Sequence, residues 1–210
     1  GRCEYVNDRW SEIAGMPVQS PWVDVRSIGS GGGSIAHVDV GGLLHVGPES
    51  AGATPGPACY GRGGERPTTT DAALVLGMLG AGKLSSGLQL DRELAHIALQ
   101  SIAQPLQCSV EEAAVGIVRI ACADMANAIR EITIERGVDP RGLKLLAFGG
   151  AGPMLATQIA RELDILTIVV PPYAGNFSAW GLLGSDLVRS NARTRLFPLP
   201  DLVMFPHVMQ

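Results

Sequence analysis

Leu143-Lys144-Leu145-Leu146-Ala147-Phe148-Gly149-Gly150-Ala151-Gly152-Pro153 runs from an apolar strand through a glycine turn directly into a helix. Gly149, Gly150 and Gly152 can take backbone angles closed to other residues and put no side chain between the main chain and a ligand. Pro153 suits the first position of a helix. That helix, predicted to run to about Leu163, aims free amides and the positive end of its dipole over the glycines, where a purine, ribose or phosphate fits. The same junction also serves as a plain tight turn in α/β domains, so by itself it speaks for the fold class before it speaks for a ligand.

The neighbouring sequence extends the α/β pattern in both directions. Ser109 with Glu112 three residues on is a capping box, and Ala113, Ile117, Ile120, Ala121, Met125, Ala128 and Ile132 recur at helical spacing until Gly137 and Pro140 stop the helix. It leads into the strand Leu143 to Phe148, and the helix after the glycines leads into Thr167 to Val170, before Pro171-Pro172. Strand, helix, strand in this order predicts a right-handed parallel crossover with ligands collecting at the carboxyl end of the strands. Upstream, Trp22 to Ile28 reads as a strand followed by the Gly29 to Gly33 loop. A hairpin then joins Ile35–Val40 to Leu43–Val46 through a two-residue Gly41-Gly42 turn. That register sets Val40 against Leu43, His45 against Val38 and His37 against Val46. The two imidazoles then point to opposite faces and share no metal. Gly47 to Pro67 holds too many glycines and prolines for regular structure and is expected to be mobile without a ligand. Asp71 is a candidate cap for a short helix through Leu79. Asp91 caps another through about Gln104, with Leu94, Ile97, Ala98 and Ile102 as its apolar stripe.

Composition sets outer bounds. At 210 residues, 46% hydrophobic and 17% charged, the chain can bury a core as one domain, or as two lobes of one. A net charge of −4 carries no footprint for nucleic acid or for a membrane surface. The sequence shows neither an apolar run long enough to span a bilayer nor a signal-like start, so a cytoplasmic home is expected. Cys3, Cys59, Cys108 and Cys122 are scattered without a C-x-x-C pair, which points to reduced thiols and away from a zinc knuckle. Cys59 has no sequence neighbour to act as its base and is expected to pack.

Several blocks in one order carry a resemblance over nearly the whole chain. They are Ile28-Gly29-Ser30-Gly31-Gly32-Gly33-Ser34-Ile35-Ala36, Val46-Gly47-Pro48-Glu49-Ser50-Ala51-Gly52-Ala53, Pro55-Gly56-Pro57-Ala58-Cys59-Tyr60-Gly61, Thr70-Asp71-Ala72, Glu135-Arg136-Gly137, Phe148 to Pro153, and Phe177-Ser178-Ala179 leading to Gly181-Leu182-Leu183 and Asp186. Together they resemble the hydantoinase A/5-oxoprolinase family. The resemblance implies an α/β fold of the actin/Hsp70/sugar-kinase (ribonuclease H-like) kind, and coupling of ATP hydrolysis, with Mg2+, to the opening of cyclic amides such as hydantoins or 5-oxoproline. Relatives also serve as subunits of ATP-dependent ketone carboxylases. Family members are several times longer, and the superfamily's two phosphate loops are expected before Gly1. Asp39-Val40-Gly41-Gly42 imitates such a loop, but Leu43 stands where a hydroxyl residue belongs. Residues 1–210 are therefore expected to be the C-terminal portion of such an ATPase domain, with no second domain and no turnover of their own. The implied partners are the N-terminal half of the domain, a hydantoinase B-type subunit, and further copies in an oligomer.

Under this resemblance Gly149, Gly150 and Gly152 form the adenosine corner, and Glu135 at the end of the long helix is a candidate for a ribose hydroxyl. Arg136 complements the helix dipole. Gly31, Gly32, Gly33 and Ser34 form a candidate phosphate or substrate loop that wraps an anion with amides and the Ser34 hydroxyl. The loop lacks G-x-x-x-x-G-K, which excludes a P-loop. Asp71 is either a helix cap or a catalytic carboxylate facing magnesium or the substrate amide from the cleft rim. Many members carry histidine where this chain has Leu155. Three readings follow: a cyclic amidohydrolase that phosphorylates a lactam or imide, a ketone carboxylase subunit that phosphorylates an enol, and a non-catalytic scaffold module.

Overall fold

Ser109 accepts a hydrogen bond from Glu112 N (3.1 Å) while the Glu112 carboxylate accepts from Ser109 N (2.8 Å), and this reciprocal cap starts the longest helix among the described residues. The computed structural model describes residues 25–80, 82, 84 and 87–184, together with the strand backbones at 5–6, 11–13, 16–18 and 22–23. Among these residues no helix is long and apolar enough to cross a membrane. The chain divides into two compact units, one made of 1–26 with 185–210 and the other of 27–184. In the first, β1 (Tyr5–Val6) pairs antiparallel with β4 (Trp22–Val23), and β2 (Ser11–Ile13) with β3 (Met16–Val18). The strand expected over Trp22 to Ile28 is thus only two residues long, and 25–28 have no regular structure. Asp186 and His207 lie outside the described residues.

The second unit opens with a hairpin of β5 (Ser34–Val38) and β6 (Leu44–Ser50). Its turn differs from the expected one. Asp39 N donates to Leu43 O (2.9 Å) and Gly42 N to Asp39 O (3.0 Å), so the loop is the three residues Val40-Gly41-Gly42, with Gly42 left-handed at φ +80°. This is the arrangement in which a turn is closed by one αL glycine. The Asp39 carboxylate fixes it by accepting from Gly41 N (2.8 Å) and Leu43 N (2.9 Å). The extra loop residue shifts the pairing by one, to Val38 with Leu44, His37 with His45 and Ala36 with Val46. The histidines therefore share a face, contrary to the two-residue-turn reading, because each one-residue slip exchanges the faces of one strand.

Three helices pack against the hairpin. α1 (Thr69–Val75) is buried along its whole length. α2 (Arg92–Leu106) starts at the Asp91 cap, as expected, but buries Ala95, Ala98, Leu99, Ile102 and Ala103 and leaves Leu94 and Ile97 exposed. The buried stripe thus lies one position on from the expected one, because alanines at close helix contacts are as much core as leucines. α3 (Val110–Glu135) supplies Ile117, Val118 and Ala121 to the same core. Gly137, at φ +65°, follows its end.

The rest of the unit is the predicted crossover. β7 (Lys144–Leu146) and β8 (Thr167–Val169) pair in parallel through α4 (Gly152–Glu162), and α5 (Phe177–Leu183) follows. Alternation along the strands sends Leu145 and Ile168 onto the core, while Lys144, Leu146, Thr167 and Val169 face outward. Residues 47–67 are more ordered than expected, since β6 extends to Ser50 and Gly56 to Cys59 are buried around a 3-10 turn at Ala58–Tyr60.

Candidate functional site

The glycine loop lies at the root of the hairpin, where Ser34 begins β5. The Ser34 hydroxyl accepts from Gly31 N (2.8 Å) and donates to Gly29 O (3.3 Å), and the residue is buried. Ser34 therefore closes the loop from inside and does not offer its hydroxyl to an anion, as the sequence had suggested. α1 holds the loop from the other side. Thr70 gives both its amide (2.9 Å) and its hydroxyl (2.8 Å) to Gly32 O. The Gly32 and Gly33 amides have no protein acceptor among the described residues. Gly31 has open space where a side chain would stand.

The glycine corner reaches this same place. A Cβ on Gly32 would stand 2.8 Å from Thr70 Oγ1 and 3.4 Å from Cβ of Ala151, the residue that precedes α4. Loop and corner, separated by more than a hundred residues, thus form one junction on which Gly32 cannot carry a side chain without displacing a neighbour. Gly149 is left-handed at φ +82° and its amide donates to Ala174 O (2.8 Å). Gly150 and Gly152 are not left-handed, and nothing lies within 4 Å of a Cβ on Gly150. The glycine at 149 is required by backbone conformation, whereas that at 150 leaves an approach open. No side chain caps α4, and Pro153 occupies its second position, one later than expected. The first-turn amides remain available to a ligand oxygen. Thr69 Oγ1 and Ser30 Oγ, flanking the contact in sequence, are buried without a hydrogen-bond partner.

Asp71 stands behind this junction, not at its rim. It is 0% exposed, and its carboxylate accepts from Cys59 N (2.7 Å), Ala58 N (3.3 Å), Thr68 N (2.9 Å) and Thr68 Oγ1 (2.7 Å). Thr68, not Asp71, is the cap of α1, and Asp71 completes its capping box from the third helical position. With both oxygens engaged, the carboxylate ties the 58–59 turn to the helix that holds the glycine loop. Burial, with Asp71 adding to it, pushes the Cys59 thiol far above its ordinary range, which suits the expected packing role.

Glu135 is not brought to the corner. The last turn of α3 lies by Leu163 and Asp164, beyond the C-terminus of α4, around a cleft also lined by Asp139 and Arg141. α4 has 11 residues, so its two ends are about 16 Å apart. A carboxylate at that end does not reach a ribose held over Gly149 and Gly150. Leu155 is fully buried and belongs to the core.

Two features here escaped the sequence reading. Thr70 is one of them, a first-turn hydroxyl that reaches the carbonyl of a distant loop. The aromatic group beside the corner was the other. Phe148 and Phe177 lie 5.4 Å apart, and Phe177 stacks on Trp180 at 5.5 Å. With Tyr173 and Asn176, Phe177 and Trp180 line a cavity of about 670 Å³. Among the described residues no three His, Cys, Asp or Glu side chains converge on a metal position.

Residues 2–191 match the hydantoinase/oxoprolinase family. An uncharacterised protein of Methanocaldococcus jannaschii is 49% identical over 90% of this chain, which spans 28% of that protein. The caprolactamase subunit alpha of Pseudomonas jessenii is 44% identical over 96% of this chain and 29% of its own length. The crystal structure of that organism's ATP-dependent caprolactamase superposes with a TM-score of 0.76 over 84% of this chain and 26% of that one. A nucleotide-free acetone carboxylase, 31% identical, gives the same TM-score of 0.76 over 85% of this chain and 25% of that one. The chain thus spans less than a third of the length of these relatives. The match along its length, the shared mixed α/β fold and the order of its glycine blocks make it a member of the hydantoinase/oxoprolinase family.

Proposed function

We propose that this chain supplies the nucleotide side of an ATP-dependent enzyme that opens cyclic amides, as part of an actin/Hsp70/sugar-kinase-like domain completed by further polypeptide. The observation that carries the reading is the junction of Gly32 with Ala151. It sets the unaccepted amides of the glycine loop beside the uncapped start of α4. Such a junction suits a ligand with a nucleoside at one end and phosphates at the other. Transfer of the terminal phosphoryl group to the lactam or imide oxygen makes the ring carbon open to water. The tetrahedral adduct then breaks its C–N bond, the ring nitrogen leaving as the protonated amine, and a second water releases phosphate from the resulting acyl phosphate. Positioning and charge neutralisation dominate such transfers. Mg2+ would enter with the nucleotide and supply that neutralisation. Asp71, whose oxygens are occupied, is proposed as a positioning residue that keeps Thr70 against Gly32. Gly149 and Gly150 admit the nucleoside. Glu135 is left without a role at the site.

A ketone carboxylase is the second reading, favoured by the acetone carboxylase superposition. The same nucleotide junction would then serve to phosphorylate an enolate oxygen. In either case we propose that other protein covers the outward faces of β7 and β8, in keeping with a relative that is itself named as a subunit.

Calorimetric titration of ADP with Mg2+ into the family-length protein that carries this sequence tests the nucleotide assignment. Gly150→Val places a branched side chain in the open approach without a forbidden φ. The expected result is at least a tenfold loss of affinity, about 1.4 kcal/mol, with the ligand-free melting temperature unchanged. Gly142→Ala, before β7 and equally open, is expected to bind ADP normally. Unaltered affinity in folded Gly150→Val refutes the assignment.

A further inference from the structure

We propose that the outer face of the β5–β6 hairpin holds a divalent metal ion of the zinc, nickel or copper(II) class between His37 and His45. The pairing places these residues directly opposite one another. Their rings stack with centroids 5.3 Å apart and planes inclined by 19°. The other face of the hairpin is committed to the core through Ala36 and Val46, with Leu44 reaching toward Gly116 of α3. The His45 side chain keeps 47% of its surface exposed, so a hydrated ion reaches it without any movement of the fold.

Asp39 makes the pair more than two adjacent surface histidines. Its Oδ2 accepts from His45 Nε2 at 2.7 Å, while its Oδ1 is held by Gly41 N and Leu43 N of the turn. A proton kept on Nε2 leaves Nδ1 as the bare lone pair. A carboxylate that takes one ring N–H and so directs the other nitrogen at a metal is the usual outer shell of a metal-bound histidine. Metal–nitrogen bonds of about 2.0–2.1 Å in tetrahedral geometry need two nitrogens about 3.3 Å apart. Binding requires the His37 ring to leave the stacked arrangement and turn one nitrogen toward His45 Nδ1, while His45 keeps its Nε2 on Asp39. Water completes the shell. Imidazole pairs suit zinc, copper and nickel over magnesium or calcium. With two protein ligands the site is an exchangeable one. A bound ion would cross-link β5, which emerges from the glycine loop at Ser34, to β6.

The test uses the full 210-residue chain, isotope-labelled, titrated with zinc chloride and separately with nickel chloride. Side-chain nitrogen NMR reads each histidine individually, which separates this site from binding at thiols. One equivalent of zinc is expected to shift His37 and His45 together and to leave His96 in place. His37→Ala is expected to weaken binding at least tenfold. Asp39→Asn keeps the Oδ1 acceptor for the turn but presents N–H to His45 Nε2, forcing the proton onto Nδ1. Tenfold to hundredfold weaker binding is expected for it. His37 and His45 unmoved at millimolar zinc overturns the proposal, as does undiminished affinity in His37→Ala. If His45→Ala disturbs the turn by releasing Asp39, His37→Ala still decides.

Discussion

The helices α1, α2 and α3 and the crossover β7–α4–β8 belong to one unit but are finished to different degrees. In the first region the three helices close a shared core among themselves, and only scattered apolar residues such as Leu94 and Ile97 stay exposed. All of α1 is buried, and Leu99 and Ile117 have no accessible surface. In the second, the inward side of the two-stranded sheet rests on the core while the outward side leaves Leu146 46% and Val169 40% exposed, and Trp180 on α5 is 67% exposed. Parallel strands are normally covered on both faces, and a contiguous bare apolar surface is normally an interface. The difference separates apolar surface that this sequence buries by itself from apolar surface that it leaves bare.

The strongest way to break that comparison is to remove Asp71. Asp71→Ala strips four buried donors of their acceptor, so a loss of about 3–5 kcal/mol in unfolding free energy is expected from chemical denaturation. A variant that keeps its stability but loses turnover in the family-length protein would instead make Asp71 a catalytic group. Leu99→Ala and Leu146→Thr sharpen the contrast as a pair. The first empties a closed core and is expected to cost about 2–5 kcal/mol, whereas the second is expected to stay within about 0.5 kcal/mol. Equal losses would mean that the outward sheet face is already packed. A smaller loss than that of Leu99→Ala is expected at the start of α3, where Ser109→Ala removes one half of the capping box. About 1 kcal/mol is expected, read from the urea midpoint. No change would show that packing alone holds that end of α3.

Local signals with a unique chemical cause were legible in the sequence. Ser109 and Glu112 announced α3, the glycines at 149, 150 and 152 announced a turn of which only Gly149 proves left-handed, and the strand, helix and strand order announced the parallel pair. The errors lie where two local solutions compete within a residue or so. Gly41-Gly42 satisfies a two-residue turn as well as a three-residue one, and the decision fell to Asp39, whose carboxylate binds the amides at 41 and 43. Asp71 and Thr68 each suit a helix cap, and the third helical position for Asp71 followed from its bonds to Ala58 and Cys59. Of the site, the two glycine segments were visible but their meeting was not, since contact between Gly32 and Ala151 depends on α1 and has no local signature. Glu135 was misplaced for the same reason.

The buried carboxylate also divides its segment into a fixed part and a free one. By joining residues 58–59 to the start of α1, Asp71 closes a short circuit of chain, and the tip inside that circuit carries none of the strain of holding it shut. Arg62 is exposed, and Gly63 beside it has open space around it but a left-handed backbone at φ +88° that keeps it glycine. Lengthening the tip there adds only the slow logarithmic cost of a longer loop, about 0.6 kcal/mol per doubling. Sequence drift at Arg62, and residues added beside it, can therefore accumulate while the left-handed Gly63 is kept and the glycine loop, two links away through Thr70, keeps its shape.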